Sequence, residues 1–424
     1  MYLLTDNIET ANVLNLIMVY ILFTFSYHYF ASSRFKIWQA LIISTLLIYN
    51  PITCVQTFTL YVDSLLMTTL FSVIIMLFGI IDEKYEMNKT IKYFALGLLI
   101  ILCVNVKFTG LAYAGIFCFL FFLISLIKAI FDKELTKVLV DNIKYYAVVC
   151  SIGILLVGSS TYLANFIKKG HPFYPLAGSE QIDIMKGNQP TSFDDENAIK
   201  KVFLSTFSET DNISGDREPK LKPLFSVSEN EKEVASVTYD TRIGGFGPLF
   251  GGILVVSLIV IVCELVILWK KSKKWFYIIL SVIITIFLML FLITESWWAR
   301  YSPYYYLIPI IAISLLFVIF NNSKIQLKLS SLIVAISLTV CLLINASYFA
   351  KYIGICKEKT EVAKETLTNL ALESKEKSIN VSFVHETFGG LEFNLKDYDI
   401  NYKVATRTWN PGRFFYGDLA KIEE

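Results

Sequence analysis

Long apolar runs, most of them near the length a helix needs to cross a bilayer, alternate with short polar turns through most of the chain. They lie at roughly 12–31, 37–50, 64–81, 93–106, 108–131, 145–165, 246–269, 275–294, 304–320 and 329–347. This pattern predicts an all-α polytopic membrane protein with about ten transmembrane helices. The runs 37–50 and 93–106 are short, and we expect them to tilt, re-enter or borrow polar neighbours. One stretch breaks the alternation. Roughly Asn165 to Gly245 carries mixed charge and is too polar for hydrocarbon. It opens with KKGHPFYPLAG (Lys168–Gly178) and closes with DTRIGGFGPLF (Asp240–Phe250).

After Asn345 the pattern changes again. Lys357 to Ser374 reads as a charged amphipathic helix, Ile379–His385 as a strand, GGLEFNLKDY as a turn and helix, and Ile400–Thr406 as a second strand. The expected organisation is therefore membrane helices over 1–164, a polar loop over 165–245, further membrane helices over 246–350 and a small α/β tail over 351–424.

Basic residues give an orientation. Fifteen Lys and Arg flank one set of span ends (Arg34, Lys36, Lys84, Lys89, Lys92, Lys128, Lys133, Lys137, Lys144, Lys270, Lys271, Lys273, Lys274, Lys324 and Lys328). Only four (Lys107, Lys168, Lys169 and Arg300) flank the other. The bias places the loop and the tail on the extracytoplasmic side. The acidic opening MYLLTDNIET then also falls outside. That start suggests an absent upstream helix, through a late start or a truncated gene.

Composition narrows the class. The chain is 55% hydrophobic and 17% charged, which excludes an ordinary soluble enzyme. Its net charge of +2 gives no argument for a nucleic-acid partner. The seven cysteines have no CxxC or zinc spacing, and the three histidines are dispersed, so no metal site is indicated.

A few polar residues stand where polarity is costly. Asp63 begins a span at its outer end. It is either an interfacial helix cap or an acid that orients an acceptor, binds a metal or pairs with a cation. Lys107, between two apolar runs, is an interfacial lysine or a phosphate contact. Arg300, in ESWWARYSPYYY, lies against the positive-inside bias among aromatics. It suits a lipid phosphate or a pair with Glu295. His171 follows Gly170 in a proline-rich turn and is a ligand contact or a turn residue. Asp240 and Arg242 close the loop and can pair with each other. GGFG lacks the strand–helix setting of a nucleotide motif. Asp194, Asp195 and Glu196 read as a solvated face, with metal binding as the alternative.

Taken in order, NPITCVQTFTLYVDS (50–64), KFTG (107–110), GHPFYPL (170–176), DTRIGGFGPLF (240–250) and WWARYSP (297–303) resemble the bacterial membrane glycosyltransferases of the GT-C class. The resemblance covers roughly 10–320. It implies a cavity opening outside the cytoplasmic membrane, where a sugar passes from a polyprenyl-phosphate carrier to a glycan, lipid or protein acceptor in cell-envelope polysaccharide assembly. It implies a carboxylate base and cations for the leaving phosphate, and no organic cofactor; a divalent metal stays open. In such enzymes the base lies in the first outer loop. Here Asp6 and Glu9 are the remnant of that loop, and Asp63 stands in the next one. Asp63 is thus the catalytic expectation, with Lys107, His171, Arg242 and Arg300 as substrate-binding groups. The alternatives are a non-catalytic or truncated member of the class and a lipid-linked glycan transporter or flippase. A transporter predicts repeated halves and polar residues at mid-membrane, which the sequence does not show.

Overall fold

The computed structural model describes residues 8–183, 187–238, 240–383, 389–404, 412–415 and 420–423. Among these, nine helices are long and apolar enough to cross a membrane, and a shorter apolar helix accompanies them. The chain is an all-α bundle of polytopic membrane type, with an inserted loop and a small sheet near its end.

The first half contributes α1 (Val13–Ser32), the short α2 (Ile37–Ile48), α3 (Pro51–Gln56), α4 (Asp63–Ile81), α5 (Lys89–Val106), α6 (Phe108–Phe131) and α7 (Leu135–Ser151). α3 starts where Asn50 accepts a hydrogen bond from Thr53 N and Pro51 takes the first helical position. α4 is apolar on every face and is buried along nearly its whole length, so it forms the centre of the bundle. Its Thr68, Thr69 and Ser72 hydroxyls return to carbonyls one turn back, which satisfies them without water.

α7 begins ten residues before the apolar run that predicts it, and takes Lys137 and Lys144 into its first turns. It then loosens into a π turn (Ile152–Leu156) and a 3-10 turn (Val157–Ser160) before α8 (Tyr162–Lys169). Asn105 of α5 donates to the Gly153 carbonyl in that turn at 2.9 Å. The loop that follows holds α9 (Ala198–Phe207) and α10 (Glu229–Val237).

The second half contributes α11 (Phe250–Lys271), α12 (Lys273–Leu292), α13 (Leu307–Asn322) and α14 (Ile325–Glu373). α14 is one unbroken helix of 49 residues. It corrects the expected boundary at 350, because the charged stretch from Lys357 continues the membrane helix and is not a separate element. Beyond it, β1 (Ile379–Phe383), α15 (Gly389–Asp397) and β2 (Tyr402–Val404) form the expected parallel βαβ unit. Two further strands, β3 (Gly412–Phe415) and β4 (Ala420–Glu423), extend the sheet to the order β2-β1-β4-β3. The part of the predicted first strand beyond Phe383, with His385, lies outside the described residues, as does the end of the second.

Contacts sort the span ends as the basic residues predict. Asp63, Lys107, Asp240 and Arg300 meet at one end. Arg34 pairs with Asp82 at the other, where Lys128 and Lys274 both reach Glu83. The 19-residue α4 separates the two by roughly 28 Å.

Candidate functional site

Four separate segments converge at the loop end of the bundle. Asp63 is the first residue of α4, where a carboxylate meets the positive end of the helix dipole. Lys107 is an extended residue wedged between the end of α5 and the start of α6. Gly110 makes that corner possible, because a Cβ there would come within 2.2 Å of the Cys103 carbonyl oxygen. The KFTG signal in the sequence is therefore a tight helix–helix corner that presents Lys107. The returning end of the loop brings Asp240 and Arg242, and is fixed by paired backbone bonds between Asp211 and Ile243. The 3-10 turn Ala299–Tyr301 brings Arg300, and Tyr113 Oη holds its last carbonyl.

The side chains form one ion cluster. Lys107 Nζ donates to Asp63 Oδ1 at 2.8 Å, and Arg300 Nη2 lies 2.8 Å from Asp63 Oδ2. Arg300 Nη1 donates to Asp240 Oδ1 at 3.3 Å. Arg242 approaches Asp240 loosely, at 3.9 Å, and donates to Asn188 Oδ1 at 3.0 Å. The Asp63 side chain is fully enclosed, whereas Lys107, Arg242, Arg300 and Asp240 each keep an exposed edge. Three cations face two carboxylates, so the cluster carries a net positive charge.

Aromatic rings wall it. Lys107 Nζ sits 3.8 Å from the centre of the Tyr301 ring, and the Arg300 guanidinium lies about 5 Å from Tyr61 and Trp298. Trp298 Nε1 and Arg300 Nε are buried and have no hydrogen-bond partner among the described residues. Burial raises the Asp240 pKa above the ordinary carboxylate value, against the pull of Arg300 and Arg242. Burial also lowers the Lys107 pKa, against the pull of Asp63.

Asp63, Lys107, Arg242 and Arg300, all singled out by sequence, thus meet in one place. Arg300 turns to Asp63 and Asp240 and not to Glu295, whose carboxylate takes the Thr294 hydroxyl. His171 stands apart. Its Nδ1 accepts from Phe173 N, and its ring tilts onto Phe173, which packs in turn on Phe108 beside Lys107. Asp240, Tyr61, Trp298 and Tyr301 complete the cluster. The sequence marked Asp240 only as a partner for Arg242, and the three rings only as a boundary belt. Asp6 and the Glu9 side chain lie outside the described residues. Among those described, no group of three His, Cys, Asp or Glu is placed to hold a metal ion.

A crevice of about 20 Å³ beside Asp240 and Arg300 has room for roughly one water. Comparison with family models, curated proteins and solved structures finds no match to this chain.

Proposed function

We propose that this protein is a membrane glycosyltransferase that takes a sugar from a polyprenyl-phosphate carrier at the extracytoplasmic boundary. The observation that carries the reading is the ion cluster itself. A net-positive set of one lysine and two arginines, partly buried and walled by rings, is suited to a lipid phosphate. Each guanidinium offers a planar fork to phosphate oxygens. Tyr61, Trp298 and Tyr301 offer flat apolar faces with polar edges to a sugar. The resemblance of the motif order to the GT-C class favours the same reading.

The residues divide the work. Asp63 has both oxygens engaged by cations and no exposed surface, so it holds Lys107 and Arg300 in position and does not reach an acceptor. Asp240 is the better base, because it keeps an exposed edge and burial favours its protonated form. In the transfer, the acceptor oxygen bonds to the anomeric carbon as the bond from that carbon to the phosphate oxygen breaks. The electron pair leaves on the phosphate, against Lys107, Arg300 and Arg242, and the acceptor proton passes to Asp240.

The test is release of polyprenyl phosphate from polyprenyl-phosphate hexose by the protein in nanodiscs, with binding of polyprenyl phosphate measured separately. Release that is lost in Asp240→Asn, with binding kept, supports transfer. Binding that depends on Arg300 without any release favours a non-catalytic carrier of the same lipid. Absence of both overturns the reading.

A further inference from the structure

The strongest feature outside the cluster is an elongated chamber whose mouth lies at the opposite end of the bundle. It follows α13 from Leu307 to Asn322 and is closed by α1, α2, α4, α11 and α12. Its volume is about 440 Å³, within the range of ligand pockets. Leu307 and Asn322 are roughly 22 Å apart along the helix, so the chamber is about one hydrocarbon chain wide. Its lining is mostly apolar, with Tyr29, Ser272, Ser314 and Asn322 as neutral polar members and three charged ones. Arg34 and Lys271 stand at the mouth, beside Trp275 and Asn322, and Glu264 lies farther in.

Glu264 decides what the chamber fits. It is 5% exposed, and its carboxyl makes no hydrogen bond or ion pair with any described residue. Lys271 is seven residues on, on the same face of α11, so the carboxyl enters the chamber roughly 10 Å inside the mouth. Lys271 acts on it only through its charge, without an ion pair. An ionisable group at membrane depth is costly, and a buried carboxyl with no hydrogen bond among the described residues points to a ligand. The mouth has the opposite character. Lys271 is exposed and unbonded among the described residues. Arg34 holds Asp82 through Nε and Nη2, stacks 4.5 Å from Trp275 and leaves Nη1 free of such bonds.

We propose that the chamber binds one glycerophospholipid, with its phosphate at Arg34 and Lys271 and one acyl tail along α13. The glycerol esters lie just inside the phosphate, where a protonated Glu264 donates to an ester carbonyl. A polyprenyl phosphate meets the mouth equally well but brings only hydrocarbon to Glu264. The ester-bearing lipid is therefore the occupant that satisfies both polar positions. This site is independent of the ion cluster at the other end.

The test uses the full chain in nanodiscs of phosphatidylglycerol whose acyl tail carries a photoreactive group, followed by mass spectrometry of retained and crosslinked lipid. The expected result is a retained phosphatidylglycerol crosslinked within 307–322. Retention falls about tenfold in Glu264→Leu, the loss of one strong hydrogen bond. Glu264→Gln keeps it, because the amide still donates, and Lys271→Glu lowers it. Arg300→Ala leaves it unchanged, which separates this site from the proposed transferase. Crosslinks elsewhere, equal retention in Glu264→Leu and Glu264→Gln, or preferential retention of added polyprenyl phosphate would each overturn the proposal. If Glu264→Leu fails to fold, the crosslink position in the unaltered protein still decides.

Discussion

Arg300, on the turn before α13, lies 2.8 Å from Asp63, the first residue of the central helix α4. This contact ties the last third of the membrane bundle to its core. Asp63 is enclosed and also neutralises Lys107, so its removal leaves Lys107 without its carboxylate and Arg300 with Asp240 alone. Asp63→Asn keeps the shape and loses the charge. We expect it to destabilise the protein by about 3 kcal/mol or more, as for other broken buried pairs. Thermal unfolding of detergent-purified protein measures this. The double variant Asp63→Asn with Lys107→Met should recover part of the loss; no recovery would mean that the two charges are not coupled.

Asp240 and Lys107 give the cluster a pH signature. In the proposed reaction, binding of an anionic lipid needs Lys107 protonated, and transfer needs Asp240 ionised. Because burial lifts Asp240, the acid limb of activity should fall above the ordinary carboxylate range. Because burial lowers Lys107, the alkaline limb should begin below the ordinary lysine range. Stability moves differently. The folded chain holds the Asp240 proton more tightly than the unfolded chain, so stability declines as pH rises from the ordinary carboxylate value through the raised one. The folded chain holds the Lys107 proton less tightly, so stability climbs as pH rises from the lowered value to the ordinary one. Asp240→Asn should flatten the first trend and Lys107→Met the second, read as unfolding midpoints across pH.

Much of this was legible in the sequence for one physical reason. A charge in or beside an apolar run is expensive, so Asp63, Lys107 and Arg300 announce themselves, and the distribution of lysines separates their end of the spans from the other. Partner choice was not legible. Nothing local to Arg300 says that it passes over Glu295 to reach Asp63 and Asp240, because that choice depends on how α4, the loop and the turn before α13 come together. The π turn after α7 and the continuity of α14 were also hidden. Hydropathy marks where a helix enters hydrocarbon, whereas α7 starts in a lysine-bearing segment and α14 runs on into one. The strands β3 and β4 are four residues each, too short for an alternating pattern to register.

The polar loop has its own anchor. Glu231 is buried and accepts hydrogen bonds from Thr210 N and Ser228 N as well as from Lys222. Lys222 also donates to the Ser226 and Pro248 carbonyls, so one ion pair joins the loop to its re-entry point. Glu231→Ala leaves the Lys222 ammonium without its anion and removes the capping box that starts α10. The expected outcome is faster proteolysis within 187–238, with the membrane helices still protected. Proteolysis at an unchanged rate would show that the pair does not hold the loop.

The re-entry turn places the strictest demand on side-chain size. Gly247 has φ +103°, and a Cβ there would lie 2.5 Å from Asn345 Oδ1 on α14. Asn345 is fully buried, accepts from Leu249 N at 2.9 Å and donates to the Phe246 carbonyl at 2.6 Å. It therefore satisfies both polar groups that the turn exposes to the bundle. Gly247→Ala faces a strained backbone and a clash with a group that cannot move without breaking those bonds. Asn345→Leu leaves a buried N–H and a buried C=O unpaired, at about 1–3 kcal/mol for each. Both variants should lower the unfolding midpoint. The turn also carries Asp240 and Arg242 into the ion cluster, so both should weaken polyprenyl phosphate binding although neither residue touches the cluster. A variant that loses stability and still binds the lipid with unaltered affinity would show that the cluster is positioned independently of this turn.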